Sequence, residues 1–145
     1  MKTIIVITGH GNYATGLKSS IELLAGHNSD VYYLDLTVDD TDIGLKNKIN
    51  AVIRKNEGSG VLFICDILGG TPFKVSAEVA SNSGRMEVVA GCNIGSILEG
   101  VFQKDKISVQ ELADAMVLTS KRTTIKYEKI NVDKINRALE VKDGI

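Results

Sequence analysis

Two uninterrupted apolar runs, Ile4-Ile5-Val6-Ile7 and Val61-Leu62-Phe63-Ile64-Cys65, constrain the fold of this chain most. Neither alternates polar with apolar residues, so neither suits a strand with one wet face. Each suits a strand covered on both faces, as in a parallel sheet. Each also stops in a glycine-containing turn that leads into helical periodicity. The first runs into Thr8-Gly9-His10-Gly11, and the second into Asp66-Ile67-Leu68-Gly69-Gly70-Thr71-Pro72-Phe73. In the second turn, Thr71 as N-cap and Pro72 as first helical residue mark a helix start.

The rest of the chain repeats the alternation. Tyr13 to Leu24 carries Ala14, Leu17, Ile21 and Leu24 at helical spacing, closed by Gly26. Val31 to Leu36 is a strand, and Asp39-Asp40-Thr41-Asp42 heads a helix to about Lys55 with Ile43, Ile49, Val52 and Ile53 on its inner face. A helix from Pro72 to about Ser81, a strand Met86 to Ala90 and a short helix around Ile97 to Phe102 follow. Ser108-Val109-Gln110-Glu111 is a capping box for a helix to about Thr119. Thr123 to Tyr127 has the propensity and mixed polarity of an edge strand. A charged tail over 128–145, with a weak helical segment near Val132 to Val141, ends the chain.

Four strand–helix alternations with short connections predict an α/β fold, a doubly wound parallel sheet with helices on both faces. The expected strand order is 2-1-3-4, in one domain spanning 1–145 with its core in 1–127. Ligands of such sheets bind beyond the carboxyl ends of the strands where the winding reverses. Here that point lies between the strands ending at His10 and Asp66.

Composition removes several functional classes. With 43% apolar and 24% charged residues over 145 positions, the chain is globular. A net charge of -1 argues against nucleic acid as a partner. No apolar run is long enough to span a bilayer, and the first residues read as a strand, not a signal peptide. Cys65 and Cys92 sit in apolar stretches and read as small buried hydrophobes in a reducing cytosol. No cofactor or metal is expected.

Alone, His10 reads as a structural or solvated histidine and Asp66 as a loop acid bonding its own backbone. At two adjoining strand ends they read as a phosphoryl-accepting pair. A carboxylate on one ring nitrogen fixes the tautomer, aims the other nitrogen outward and balances the charge that develops there. Asp66 on Nδ1 would leave Nε2 as the acceptor. The transferring group needs donors, which the backbone around Gly69, Gly70 and Thr71, the Thr71 hydroxyl and the helix start can supply. His27, in an apparent surface turn, receives no role.

On these residues the chain resembles the enzyme IIA domain of the mannose family of the bacterial phosphoenolpyruvate-dependent sugar phosphotransferase system. The resemblance covers roughly the first 127 residues. It rests on Gly9-His10-Gly11, on Phe63-Ile64-Cys65-Asp66-Ile67-Leu68-Gly69-Gly70-Thr71-Pro72-Phe73 and on Val89-Ala90-Gly91-Cys92-Asn93-Ile94. It implies a cytoplasmic phosphotransferase component with His10 as phosphohistidine, Asp66 as its partner and Thr71 at the phosphate pocket; Gly11, Gly69 and Gly70 are the phosphate-binding candidates of the two turns. It also implies a phosphoryl group arriving from the phosphocarrier HPr and leaving to a separate IIB protein, then to sugar entering through a membrane permease. A homodimer that exchanges a fifth, antiparallel strand is implied too, with Thr123 to Tyr127 as the candidate.

Two rivals belong to other classes. Gly9-His10-Gly11-Asn12-Tyr13-Ala14 fits the dinucleotide fingerprint, with Asp35 as a ribose-binding acid. That reading leaves Asp66 and the Gly-Gly-Thr-Pro turn unexplained. A receiver-like signalling module would use Asp66 itself as phosphate acceptor, but needs clustered acids after the first strand, where Thr8-Gly9-His10-Gly11 stands.

Overall fold

The computed structural model describes residues 2–130 and, beyond them, Asp133, Asn136, Arg137 and Leu139. Its elements run β1 (Thr3–His10), α1 (Tyr13–Ala25), β2 (Val31–Leu36), α2 (Asp42–Lys55), β3 (Gly60–Cys65), α3 (Thr71–Ala80), β4 (Met86–Ala90), α4 (Ile94–Gln103) and α5 (Val109–Thr123). The strands form one parallel sheet in the expected order β2-β1-β3-β4. Alternate residues of the two central strands face opposite cores. Ile5, Ile7, Leu62 and Ile64 pack with Ala14, Ile21, Ile97, Leu112 and Met116, so α1, α4 and α5 cover that face. Ile4, Val6, Val61, Phe63 and Cys65 pack with Leu45, Ile49 and Val75, so α2 and α3 cover the other. Each fully buried large aliphatic side chain stabilises the fold by about 2 kcal/mol relative to exposure. β1 and β3 therefore carry no polar alternation.

The chain winds outward from β1 to β2 over one face, then returns across the other face to β3. The reversal lies between the carboxyl ends of β1 and β3, the place where ligands of such sheets bind. The ends of helices decide which residues face inward, and three expectations shift there. Thr41 caps α2 by accepting the Gly44 N–H at 2.9 Å. In that phase Leu45 and Ile49 point inward, while Ile43, two residues before Leu45, lies roughly 200° around the helix and is 70% exposed. On α1, Ala25 continues the four-residue step from Ile21, and Leu24 is left 63% exposed. On α3, Gly70 is the N-cap and Thr71 the first helical residue, so the expected Thr71 cap moves back by one.

Asn93 starts α4 three residues earlier than expected by accepting the Ser96 N–H at 3.0 Å. Ser108 caps α5 as the capping box predicts, accepting the Glu111 N–H at 3.1 Å. That helix runs past Thr119 to Thr123. The edge strand expected at Thr123 to Tyr127 is not formed by this chain on its own. Thr123 ends α5, and residues 124–130 are exposed and without regular structure. A strand needs a neighbouring ladder, and this segment pairs with no strand of the β2-β1-β3-β4 sheet. Of the tail helix expected over 132–141, Asp133, Asn136, Arg137 and Leu139 are helical and the other positions lie outside the described residues.

Candidate functional site

The sequence separates His10 from Asp66 by 56 positions, and the sheet brings them together. β1 runs through His10, its last residue, and β3 stops at Cys65, so both side chains stand at the carboxyl edge of adjacent strands. His10 Nδ1 lies 2.7 Å from Asp66 Oδ2, and the same oxygen accepts the His10 backbone N–H at 2.9 Å. The other oxygen accepts the Ile67 N–H at 2.9 Å. Burial alone would raise the Asp66 pKa. The His10 backbone N–H, the ring and the Ile67 N–H outweigh it and hold the carboxyl below its usual value. An ionised carboxylate only accepts, so Nδ1 must carry the proton. Nε2 is left without a hydrogen bond among the described residues. The ring is 46% exposed beside an Asp66 side chain that is 14% exposed.

Glycine makes this arrangement possible at two positions. A Cβ on Gly70 would lie 2.7 Å from His10 Cε1 and 3.2 Å from Ile67 Cγ1. A Cβ on Gly9 would overlap the Tyr13 ring, which packs against the strand there. Gly70 thus lets α3 approach the imidazole, and Gly9 lets the Tyr13 ring of α1 close on β1 one residue before His10. Gly69 has φ +80° and turns the chain between Asp66 and that helix.

Two helix N-termini flank the ring, and they are not alike. Asn12 gives α1 no side-chain cap. The Thr15 N–H is instead held by Asp35 Oδ1 at 3.0 Å, and the Thr15 hydroxyl donates to Asp35 Oδ2 at 2.5 Å. α3 has no side-chain cap and no acid in its first turn. The dipole of α3 is therefore uncompensated beside the imidazole, and its first N–H groups suit an anion. Thr71 opens this helix with a hydroxyl that caps nothing. Gly11, at φ +58°, turns the chain after His10 and donates its N–H to Leu36 O at 2.8 Å.

Three residues near the site have roles that sequence reasoning missed or misassigned. Asp35, the ribose-binding acid of the dinucleotide rival, has both oxygens on Thr15. Tyr13 forms part of the site's floor; burial first, then the Asp66 carboxylate, pushes its hydroxyl up to about 12. Its α1 position next to a glycine-flanked histidine was the available signal. Ile67, read only as part of a turn, supplies an N–H to Asp66. Cys65 is buried, which pushes its thiol up to about 11, and it lies 3.6 Å from the Ser76 hydroxyl. Cys92 is buried as well. His27 bonds Glu22 at 2.7 Å on the surface, away from the site.

Chemically, the site is a half-exposed imidazole with one nitrogen tied to a carboxylate and the other open beside an uncapped helix start. A nucleophilic nitrogen with donors for an incoming anion is what this geometry provides. No helix among the described residues is long and apolar enough to cross a membrane.

Comparisons with known proteins agree on one family. The family described as PTS system fructose IIA component (EIIA-man) matches over residues 4–117. The sorbose-specific EIIA component of Lacticaseibacillus casei is 27% identical over 78% of this chain and 82% of its own length. The mannose-specific EIIAB component of Escherichia coli K12 is 33% identical over 72% of this chain, a match spanning 33% of that longer relative. Among solved structures, the phosphotransferase system component EIIA from Streptococcus agalactiae superposes with a TM-score of 0.79 at 26% identity. It covers 86% of this chain and 96% of its own. The mannose/sorbose specific IIA subunit from Enterococcus faecalis gives 0.79 at 25% identity, over 90% and 100%. With the sheet order, the site and this match over most of its length, the chain belongs to the EIIA-man family of phosphotransferase system IIA components.

Proposed function

We propose that this protein is a cytoplasmic phosphoryl carrier that accepts a phosphoryl group on His10 Nε2 from the phosphocarrier HPr. It then passes the group to a IIB component, which serves sugar uptake through a membrane permease. The observation that carries this reading is the 2.7 Å contact between His10 Nδ1 and the ionised Asp66, with Nε2 open. Asp66 orients the ring, and its charge stabilises the positive charge that grows on the imidazole as the N–P bond forms. The bond from phosphorus to the donor's nitrogen breaks as the new one forms, so no separate acid or base catalyst is required. The N–H groups at the start of α3, with Gly69, Gly70 and the Thr71 hydroxyl, face the spread negative charge, and Gly11 keeps the other rim clear of a side chain.

Two further features of the reading concern assembly. The core over 1–127 acts as the IIA unit, followed by the charged tail over 128–145. The exposed segment around Thr123 to Tyr127 becomes a fifth, antiparallel strand only in a homodimer, where a second chain supplies the ladder. The rivals find less support. Asp35 is occupied by Thr15 and cannot bind a ribose without uncapping α1. Asp66, as the acceptor of a receiver-like module, would first have to release the ring and two backbone N–H groups.

Incubation with phosphoenolpyruvate, enzyme I and HPr should label the wild-type chain, and His10→Ala should abolish the label with the circular dichroism spectrum unchanged. Labelling of His10→Ala at the wild-type level would refute the proposal.

A further inference from the structure

Two carboxylates at the carboxyl edge of the sheet flank the turn that carries His10, one on each neighbouring strand. Asp66 follows β3 and holds the ring. Asp35 lies on β2, where the register sets it opposite Gly9, and Leu36 opposite His10. The path from His10 into α1 is fixed on β2 at two points. The Gly11 N–H reaches Leu36 O at 2.8 Å, and Thr15 gives Asp35 both its N–H at 3.0 Å and its hydroxyl at 2.5 Å. Asn12, the N-cap residue, contributes no side-chain bond. The side-chain hold on the start of α1 therefore comes from the adjacent strand, not from its own N-cap residue. Tyr13, in that same first turn, packs on Gly9 with no room for a Cβ between them.

We infer that Asp35 is a positioning residue for His10: from β2 it clamps the first turn of α1 through Thr15, and with Tyr13 of that turn packed on Gly9 it fixes the backbone from which the imidazole reaches Asp66. The inference rests on the phosphohistidine reading above and extends it to a residue that does not touch the reacting group. Its physical content is division of labour. Asp66 fixes the orientation of the ring, and Asp35 fixes the point from which the ring hangs. The Asp35 charge also fills the dipole of α1, so the uncapped start of α3 remains the better anion site beside Nε2. Small displacements of a nucleophile from its attack geometry cost far more rate than stability.

The test compares Asp35→Ala with Asp35→Asn in the full chain, using single-turnover phosphorylation by phosphorylated HPr at saturating donor. Asparagine can still accept the Thr15 N–H and donate to its hydroxyl, so it preserves the clamp; alanine removes it. Asp35→Ala should slow transfer by roughly tenfold or more, with the half-saturating donor concentration unchanged. Asp35→Asn should restore most of the rate. The second readout is the ¹⁵N and ¹H signals of the His10 ring, recorded where each variant is folded. The Nδ1–H signal should be single and sharp in the wild type and Asp35→Asn, and broadened or shifted in Asp35→Ala. Wild-type ring signals and rate in Asp35→Ala, with only a lowered melting temperature, would overturn the inference and leave Asp35 a helix cap. If Asp35→Ala does not fold, Thr15→Val against Thr15→Ser decides by the same signals, valine reproducing the defect and serine not. A wild-type chain that accepts no phosphoryl group would sink the functional reading, while the ring signals would still decide the role of Asp35.

Discussion

Asp66 Oδ2 accepts two hydrogen bonds from the same residue, the backbone N–H and the ring of His10, so one atom locks both the position and the tautomer of the imidazole. Replacing it by asparagine keeps the size but removes the charge that, in the proposed function, balances the ring as it takes the phosphoryl group. Asp66→Asn should therefore stay folded and accept the phosphoryl group roughly 100-fold more slowly. An unchanged single-turnover rate would mean that Asp66 is structural only. Gly70→Ala tests the neighbouring wall. Gly70 has φ -72°, so alanine meets no backbone strain, and the cost falls on the His10 Cε1 contact at 2.7 Å. The ring must move, and transfer should fall by roughly 100-fold while the melting temperature changes by only a few degrees. A wild-type rate in Gly70→Ala would show that the ring has slack. The pairing of His10 with Asp66 was legible in the sequence because each residue follows a short apolar run that suits a buried parallel strand, and the expected strand order sets those two strands side by side. The grip of Asp35 on Thr15 was not, since it depends on the register of β2 against β1, which no local pattern encodes.

At the scale of elements, starts and stops decide most outcomes. The sequence pattern found every strand of the sheet and every helix over 2–123, because apolar runs and helical periodicity are strong signals. It misjudged phase where two capping residues compete. Thr41 caps α2 and turns Ile43 outward, and Gly70 takes the place expected for Thr71. The segment after α5 is a different kind of difference. Residues 124–130 place Ile125 and Tyr127 in solvent, and the proposed strand would need a second chain, which no single-chain pattern encodes. Among the described residues, none from Ile125 onward belongs to the core, so with the chain deleted from that point α5 and the sheet should melt as before. If the segment is exchanged between subunits, light scattering should show the shortened protein as a monomer or as aggregates through its uncovered edge. A soluble dimer of unchanged mass would contradict the exchange.

Across the whole molecule, charge is arranged at both ends of the sheet. At the carboxyl edge stands the His10–Asp66 pair. At the amino edge Lys104, only 3% exposed, bridges Asp30 at 2.9 Å and Asp105 at 2.8 Å. Lys2 joins Asp30 at 2.9 Å, and Asp105 accepts the Thr3 N–H at 3.0 Å. For Asp30 burial raises the pKa, but Lys104 and Lys2 outweigh it; for Asp105 burial is outweighed by Lys104 and the Thr3 N–H. With Asp66, three carboxyls therefore titrate lower in the folded chain than in the unfolded one. Their contribution is complete above the unfolded value of about 4 and is lost as pH falls through the depressed folded values. The melting temperature should show no loss from these groups between pH 7 and about 5, then fall below about pH 4, with Lys104→Met flattening that acid limb. A steady decline from pH 7 would contradict this assignment.

The most direct test of the account is the position of the phosphoryl group on the ring. In protein phosphorylated by HPr and uniformly ¹⁵N-labelled, ¹⁵N–³¹P coupling should place phosphorus on His10 Nε2, with Nδ1 still protonated and bonded to Asp66. Phosphorus on Nδ1, or an alkali-labile acyl phosphate on Asp66, would contradict it.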